Sequence, residues 1–309
     1  MHDSKNGMAP PGGRVKSGLV LGGGGARGLA QIGVLQVLER ESYPVDLIAG
    51  TSMGGLIAGL YGLLGSSAAL RELMAQPADN QATAFSRAPR AELYESRRFR
   101  RWLRTLFADR TFADLHWPVA VTAVDIDSGQ ELAINRGPVA PALWATTAIP
   151  GIYAPVEING RRLVDGGVLN PLPVDLARRL GARVVLAVDV LPEPDRPAAR
   201  LPIVYHQAMV RKVGVAMDLM AKSFDLLLSA QRDYRLRDWP ADLLITPDLR
   251  GFRAMAYDQG AEIVARGVAA AEAVLPEIRR LRDQLLAAQP AANGGYQAGT
   301  IVPAQEHYR

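Results

Sequence analysis

The sequence predicts an α/β fold in which a largely parallel sheet carries helices on both faces. Short apolar strand patterns alternate with helical patterns along most of the 309 residues, and this alternation is typical of parallel strands joined by helical crossovers. The strand patterns are apolar at consecutive positions rather than at every second one. Parallel strands that are buried on both faces have this composition.

The predicted elements follow one another along the chain. A strand over Val15–Leu21 runs into four consecutive glycines, and a helix with apolar residues about three apart follows them. A second strand over Val45–Ala49 ends at a Gly-X-Ser-X-Gly turn, from which the next helix begins at once. Further strands are predicted over Val119–Ile126, Val184–Val190 and Leu243–Thr246, and long helices around 206–232 and 257–288.

One folded domain with polar ends is expected. Both ends of the chain are polar and contain Gly and Pro, a composition typical of disorder. The expected organisation is a disordered leader over 1–14, a catalytic core over 15–190, a helical part of the same domain over 191–288, and a disordered tail over 289–309.

The composition excludes several classes of protein. No cysteine occurs, so disulfides, thiolate catalysis and cysteine-bound zinc are ruled out. The formal charge of +4 is too small to indicate nucleic acid by itself, although it is compatible with an anionic membrane surface. The sequence contains neither a signal-peptide core nor a run of eighteen apolar residues, so we expect a cytoplasmic protein without a membrane span.

Ser52 stands in the motif Gly50-Thr51-Ser52-Met53-Gly54, between a predicted strand and a predicted helix. A nucleophile elbow has this motif in this context, because glycines two residues from the serine relieve clashes in the sharp turn. The exposed serine would face the N-terminus of the following helix, where developing negative charge is stabilised. A tight turn with an incidental serine is the alternative interpretation.

A glycine-rich loop, Gly23-Gly24-Gly25-Ala26-Arg27-Gly28, follows the first strand. Its consecutive glycines expose backbone N–H groups to a close ligand. The spacing also fits a dinucleotide-binding loop, which requires an acidic residue about twenty positions later at the end of the second strand. That strand ends in Gly50-Thr51-Ser52, and Asp46 lies at its start. An oxyanion hole is therefore favoured over a phosphate cradle, with a purely structural turn as the third interpretation.

A serine nucleophile needs a base, and no histidine is well placed to serve as one. His2 and His307 lie in the predicted tails, His116 precedes a strand, and His206 lies in a helical pattern. A Ser-His-Asp triad is therefore poorly supported. The motif Asp165-Gly166-Gly167 follows a short apolar stretch, and on its own this motif would predict only a turn.

Three motifs in this order resemble the patatin-like phospholipases: the glycine-rich loop with its arginine, Gly-X-Ser-X-Gly, and Asp-Gly-Gly. Residues 145–190 are similar to bacterial members almost throughout, and the resemblance covers about residues 16–190. One departure is Ala145-Thr146-Thr147, where relatives commonly have Ala-Ser. The fold that this resemblance implies is a three-layer α/β/α sandwich around a largely parallel sheet.

The resemblance also implies a role for each motif. Ser52 is the nucleophile and Asp165 its base, in a dyad without histidine, and the amides of Gly23, Gly24 and Gly25 form the oxyanion hole. The expected activity is hydrolysis of fatty-acyl esters of phospholipids or related lipids through an acyl-enzyme, with no metal and no organic cofactor. Such a base needs a pKa above the ordinary value of about 3.9, which burial would supply. The supporting motif residues are Arg27, Gly28, Gly50, Gly54, Gly166 and Gly167.

Two other functions fit the same residues. A thioesterase or general carboxylesterase would use the same dyad on a different acyl substrate. A nucleotide-binding module would use the glycine-rich loop and would leave Ser52 without a catalytic role.

Residues 87–110 combine eight arginines with three acidic residues. Phe99, Trp102, Leu103 and Leu106 fall on one face of a helix. An interfacial helix would insert such a face among acyl chains and place its arginines on headgroups. The alternative is a surface helix whose apolar stripe packs on the core. The surface helix is the favoured interpretation, and a peripheral contact with the inner face of the membrane is the other. A lipid or other acyl-ester substrate is the expected partner.

Overall fold

The computed structural model describes residues 15–75, 97–191 and 208–288. Sequence predictions that lie outside these residues cannot be compared with it. They are the leader over 1–14, the tail over 289–309, the histidines His2, His206 and His307, and the first part of the arginine-rich segment, 87–96.

Eight strands in the described residues form one mixed sheet. Five of them run parallel in the order β3-β2-β1-β7-β8, and these are the five strands that the sequence predicts. β8 pairs with β7, so the C-terminal part adds a strand to the same sheet. The strands are β1 Ser17–Leu21, β2 Leu47–Gly50, β3 Val119–Asp125, β4 Gln130–Ile134, β5 Val156–Ile158, β6 Arg161–Asp165, β7 Val184–Val188 and β8 Leu243–Ile245.

Helices cover both faces of this sheet. The pattern over 257–288 is not one helix, because the helix breaks at Val274 and Pro276 lies in the first turn of the next one. Proline has no N–H and its ring would clash with the preceding turn of a continuous helix. The helices are α1 Ala30–Arg40, α2 Met53–Leu64, α3 Ser67–Ala75, α4 Arg97–Phe107, α5 Val139–Thr146, α6 Val174–Arg179, α7 Ala208–Asp238, α8 Gly260–Ala273 and α9 Leu275–Ala287.

The core lies in two layers on either side of the sheet. Successive side chains of a strand point to opposite faces. Leu19 and Leu21 of β1 therefore join the larger cluster with α1 and α2, whereas Val20 joins a smaller cluster with α6. The expected three-layer α/β/α sandwich with a largely parallel sheet is confirmed.

Helix α2 is the central helix of the larger layer. All of its residues from Met53 to Gly62 are buried, which accounts for its lack of a polar face. Of the helices in the described ranges, none alone has the length and apolar character needed to cross a bilayer, although α2 and α3 together pass the same test as a pair bent by 118°.

Three strands pair with β3, and their registers bring distant parts of the chain together. β4 pairs with β3 along one edge, so β2 and β6 must share the opposite edge. β2 is parallel and ends at Gly50, opposite Val121. β6 is antiparallel and ends at Asp165, opposite Ala123. The two strands therefore run toward each other along one edge, and the turns that follow them meet over Thr122.

Helix α4 distinguishes the two interpretations of the arginine-rich segment. In α4, the side chains of Phe99, Trp102, Leu103 and Phe107 are buried in the larger core cluster, and Phe99 packs against Trp144 of α5 with ring centroids 5.6 Å apart. The apolar face of α4 therefore packs on the core, as the favoured interpretation of a surface helix predicts, and is not available for insertion among acyl chains. Exposed arginines such as Arg101 still cover its outer face, so an electrostatic membrane contact stays a prediction.

Helix α7 is attached to the sheet by a buried ion pair. Arg232 donates to Asp189, which follows β7, at 2.7 Å, and both side chains are at most 6% exposed. The second carboxylate oxygen of Asp189 accepts from the amide of Leu191. Burial raises the pKa of Asp189 while Arg232 opposes the rise. Asp189 depends on this partner, because its carboxylate alone would be buried without a cation.

Replacing Arg232 by Ala should lower the free energy of unfolding by about 3–5 kcal/mol, since Asp189 would remain as an unpaired buried charge. Urea denaturation followed by circular dichroism would measure the loss. The matched control is Arg250→Ala, which removes the partner of Asp248 at the exposed surface and should cost about 0–1 kcal/mol. Similar small losses in the two variants would contradict this account.

Candidate active site

Ser52 occupies a strained turn between β2 and α2. Its backbone has φ 54° and ψ −124°, a conformation that costs a non-glycine residue about 1–3 kcal/mol. The turn is so tight that a Cβ atom at Gly54 would lie 2.1 Å from the carbonyl oxygen of Leu21, and one at Gly50 would lie 2.6 Å from that of Gly54. The predicted strand, turn and helix are thus present, and glycine is required on both sides of the serine.

The side chain of Ser52 is hydrogen-bonded to a buried carboxylate. Its Oγ donates to Oδ2 of Asp165 at 2.5 Å, and the other oxygen, Oδ1, accepts from the amide of Gly167 at 2.7 Å. Asp165 is 2% exposed and Ser52 is 8% exposed. A Cβ atom at Gly166 would lie 2.0 Å from Oγ1 of Thr122, so glycine at that position allows the turn after β6 to come this close.

The environment of Asp165 changes its acidity. Burial raises the pKa of this carboxyl group to about 7, and the hydrogen bonds from Ser52 and Gly167 oppose the rise only in part. Loss of hydration disfavours the charged form of a carboxyl group. The carboxyl group of Asp165 therefore titrates near neutral pH, whereas an ordinary aspartate is fully ionised there.

The glycine-rich loop lies beside this pair, with one correction to the expected oxyanion hole. The amide of Gly23 donates to the carbonyl of Pro171 at 2.8 Å, so its inclusion as an oxyanion donor is wrong. Within the described ranges, no acceptor is found for the amides of Gly24 and Gly25. Gly25 has φ +60° and would place a Cβ 2.2 Å from the carbonyl of Ala254, so only glycine fits there.

Arg27 holds the loop in place from inside the protein. Its Nε donates to the carbonyl of Gly24 at 3.2 Å, and its Nη2 donates to Asp225 of α7 at 2.6 Å. The Arg27 side chain is only 4% exposed. A Cβ at Gly28 would lie 2.4 Å from Cγ of Met53, so the loop packs directly on the start of α2. Both motif residues thus support the loop's shape and leave the amides of Gly24 and Gly25 available.

Hydroxyl groups that the sequence does not single out hold the serine turn. The amide of Ser52 donates to Oγ1 of Thr146 at 2.9 Å. Thr51 donates to the carbonyl of Asn170 at 2.7 Å, and its Oγ1 lies 2.7 Å from that of Thr122, which must then be the donor of that bond. Thr146 belongs to the Ala-Thr-Thr stretch that departs from the family pattern. This departure is the one feature of the sequence that could have pointed to Thr146 as a contact of Ser52.

An opening above Ser52 is mainly apolar. Burial raises the pKa of Tyr153 to about 12 and also raises that of Tyr257, so both phenols stay neutral near pH 7. No three His, Cys, Asp or Glu side chains converge as metal ligands in the described ranges. The opening is lined by Gly25, Ser52, Met53, Thr147, Ile149, Ile152, Tyr153, Met255 and Tyr257.

His116 does not reach the site. Its imidazole lies against Gly65, at the C-terminal end of α2, whereas Ser52 precedes the N-terminal end. A helix of this length spans roughly 18 Å, so His116 cannot contact the serine. Of the residues predicted from the sequence, the structure brings Ser52, Asp165, Gly24 and Gly25 together. It leaves His116 at the far end of α2.

Fold and site together define the class. The chain is an α/β/α sandwich in which Ser52, in a tight turn at the carboxyl end of the second strand, is hydrogen-bonded to the buried Asp165. It belongs to the patatin-like phospholipase family, whose family model matches residues 19–178.

Named relatives agree with this assignment, and one solved structure shares the fold. The chain is 34% identical over 179 residues to patatin-like phospholipase domain-containing protein 6 of Homo sapiens, covering 56% of the chain but only 13% of that protein. It is 32% identical over 209 residues to an uncharacterised NTE family protein of Mycobacterium bovis, covering 66% of the chain and 58% of the relative. VipD from Legionella pneumophila shares the fold, with a TM-score of 0.52 at 12% identity over 86% of this chain and 67% of VipD.

The raised pKa of Asp165 leads to a pH prediction. With a soluble ester, kcat/KM should fall about tenfold per pH unit below pH 7 and level off above it, because only the ionised carboxylate can accept a proton. A decline of kcat/KM that begins only near the ordinary aspartate pKa, about pH 4, would contradict a raised pKa for Asp165.

The raised pKa of Asp165 also makes the free energy of unfolding depend on pH. Neutral Asp165 favours the folded state, so its contribution is complete below pH 3.8 and is lost as pH rises through about 7. Asp165→Asn should therefore lose activity yet have a Tm at pH 8 equal to or above that of the wild type, as differential scanning calorimetry would measure.

Thr146 should act as a positioning residue for Ser52. Thr146→Val would leave the amide of Ser52 buried without an acceptor and should lower kcat about tenfold to a hundredfold with little change in KM. Thr146→Ser keeps the acceptor and should restore activity. Thr111→Val is the control, since that hydroxyl binds Asp114 and Thr111 does not line the opening above Ser52. Equal effects at the two threonines would contradict a positioning role.

Proposed function

We propose that this protein is a serine acyl hydrolase that cleaves fatty-acyl esters of phospholipids or related lipids. The hydrogen bond of 2.5 Å from Ser52 to Asp165 carries the proposal, because it joins a nucleophile to a base whose pKa burial raises to about 7. A serine hydroxyl becomes an effective nucleophile when an adjacent base takes its proton. The name of the family adds the lipid class of the substrate.

In the first half-reaction, Oγ of Ser52 attacks the acyl carbonyl carbon and its proton passes to Oδ2 of Asp165. The carbonyl oxygen becomes an oxyanion, and the amides of Gly24 and Gly25, which have no acceptor among the described residues, are candidate donors to it. Preorganised donors of this kind each contribute about 10²–10³-fold to kcat. The leaving alcohol then takes the proton from Asp165, and the acyl group stays on Ser52.

In the second half-reaction, a water molecule attacks the acyl carbon and gives its proton to Asp165. The tetrahedral intermediate collapses, the fatty acid leaves, and the same proton returns to Oγ of Ser52. One carboxyl group thus handles every proton transfer, which requires a pKa close to the working pH in both halves.

The surroundings of Ser52 support an acyl chain as the bound group. Met53, Ile149, Ile152 and Met255 line the opening above the serine, and apolar walls of this kind suit a hydrocarbon chain rather than a nucleotide. Gly23 also packs on the serine, with its built Cβ position 3.2 Å from Cβ of Ser52. A thioesterase or general carboxylesterase would use the same residues, so the choice among acyl substrates has to be made by experiment.

A fluorophosphonate probe should label Ser52 and no other residue, and Ser52→Ala should lower ester hydrolysis by at least about 10⁴-fold. The Tm should change little. Wild type and Ser52→Ala would be incubated with phospholipids, lysophospholipids, acyl-CoA thioesters and short esters, and the products would be measured by mass spectrometry. His116→Gln is the control and should keep full activity, since His116 lies at the far end of α2. Unchanged hydrolysis by Ser52→Ala would refute the proposal.

A further inference from the structure

The segment 169–171, which follows the Asp-Gly-Gly turn, is bonded to both of the other candidate catalytic loops. The carbonyl of Asn170 accepts from Oγ1 of Thr51, in the serine turn, at 2.7 Å. The carbonyl of Pro171 accepts from the amide of Gly23, in the glycine-rich loop, at 2.8 Å. The relative positions of the three loops therefore depend on where this segment lies.

Arg235 of α7 holds the first residue of this segment. Its Nε donates to the carbonyl of Leu169 at 3.1 Å. The amide of Leu169 donates to the carbonyl of Gly166 at 3.1 Å, so Leu169 closes the short helical turn that Asp165 caps at its start. The guanidinium group therefore fixes the end of the turn whose first residue is the candidate base.

Two carboxylates fix the guanidinium group itself. Arg235 lies 3.0 Å from Asp175 of α6 through Nη1 and 2.6 Å from Glu131 of β4 through Nη2. The side-chain amide of Asn170 donates to the same two carboxylates, at 2.8 Å each. Arginine presents its N–H donors in a rigid planar fork, so acceptors on three sides determine where it lies. The segment is thus held both at the Leu169 carbonyl and at the Asn170 side chain.

The inner face of α7 touches the candidate site at two further points. Asp225 lies 2.6 Å from Arg27 of the glycine-rich loop, and Leu228 lies 3.4 Å from the Cβ position of Gly167. At about 100° per residue, Asp225, Leu228 and Arg235 lie within an arc of about 80°. The opposite side of the helix carries exposed leucines. One face of α7 therefore supports both the glycine-rich loop and the aspartate turn.

We infer that Arg235 is a positioning residue for the candidate dyad, which keeps Asp165 in register with Ser52 through the carbonyl of Leu169. The inference rests on the proposed function, since a reaction has to be positioned only if Ser52 is a nucleophile. Arg235 is 25% exposed and acts through other residues, without contact to the substrate. It makes α7 necessary for a reaction whose reacting residues lie within 19–178, the part that the family model matches.

Arg178 of α6 provides a matched control. Its side chain is 23% exposed and lies 2.8 Å from Asp242, and it donates to the carbonyls of Arg183 and Pro240. Like Arg235, it connects a carboxylate to backbone carbonyls of other segments. Those segments precede β7 and β8, so Arg178 lies at the amino ends of the parallel strands, whereas Ser52 follows the carboxyl end of β2.

Arg235→Ala should lower kcat for a soluble ester about tenfold to a hundredfold with little change in KM, because a displacement of about 1 Å at the reacting atoms has an effect of this size. Labelling of Ser52 by a fluorophosphonate probe should slow by a similar factor. Arg178→Ala should lower the Tm to a similar extent but keep the kcat and labelling rate of the wild type. Arg179 stays 2.9 Å from Asp175, so Arg235→Ala does not leave that buried carboxylate without a cation.

Arg235→Lys separates the contact with Leu169 from the charge. Lysine keeps a positive charge beside Glu131 and Asp175, but its single nitrogen cannot span all three acceptors. We expect a Tm near that of the wild type and a kcat that is still lowered. Guanidinium chloride, with sodium chloride at the same ionic strength as control, should restore part of the kcat of Arg235→Ala. Full wild-type kcat in Arg235→Lys would overturn the inference.

The outcomes for the inference and for the proposed function differ. If the probe does not label Ser52 in the wild type, the proposed function fails. If the wild type is labelled and hydrolyses esters, and Arg235→Ala does both at the same rate, only the inference fails. An equal loss of kcat in Arg235→Ala and Arg178→Ala would also overturn it, because the effect would then follow from lower stability alone.

Discussion

The carboxyl group of Asp165 lies inside the protein with Ser52 and the amide of Gly167 as its hydrogen-bond partners. In the part of the chain that the structure describes, no arginine or lysine pairs with it. A buried carboxylate without a cation is costly, and the result is a pKa raised to about 7. In the proposed mechanism this constraint is decisive, because a base that titrates near neutrality makes a histidine unnecessary.

Other buried charges are neutralised separately. Arg27, Arg232 and Arg235 each have acidic partners. They therefore connect helix α7 to the sheet and to the glycine-rich loop without lowering the pKa of Asp165. The same three ion pairs leave the apolar side of α7 facing outward. The buried ion pairs of α7 and its exposed leucines therefore have one cause, which is that the helix packs on the domain through its polar face.

Much of this arrangement follows from the sequence, and the exceptions have physical causes. The five parallel strands are predictable because buried strands are continuously apolar, and Ser52 and Asp165 are marked by glycines that their turns require. Strands β4, β5 and β6 are short and carry charged residues at the edge of the sheet, so their patterns are weak. The amide of Gly23 is hydrogen-bonded to the carbonyl of Pro171, and the hydroxyl of Thr146 accepts from the amide of Ser52. Both contacts join residues about a hundred or more positions apart in the sequence, so no local pattern contains them.

The head-to-head meeting of β2 and β6 along β3 has a consequence for how the site can be lost. Pairing register changes only in whole residues, and each residue of strand is about 3.4 Å long. A slip of β6 by one residue would turn the Asp165 side chain to the other face of the sheet, and a slip of two would carry it about 7 Å along β3. The contact between Ser52 and Asp165 is therefore either made or absent, with no intermediate distance. A single-residue deletion that shifts the register of β6 would therefore remove the contact between Ser52 and Asp165 and leave the rest of the α/β/α sandwich folded.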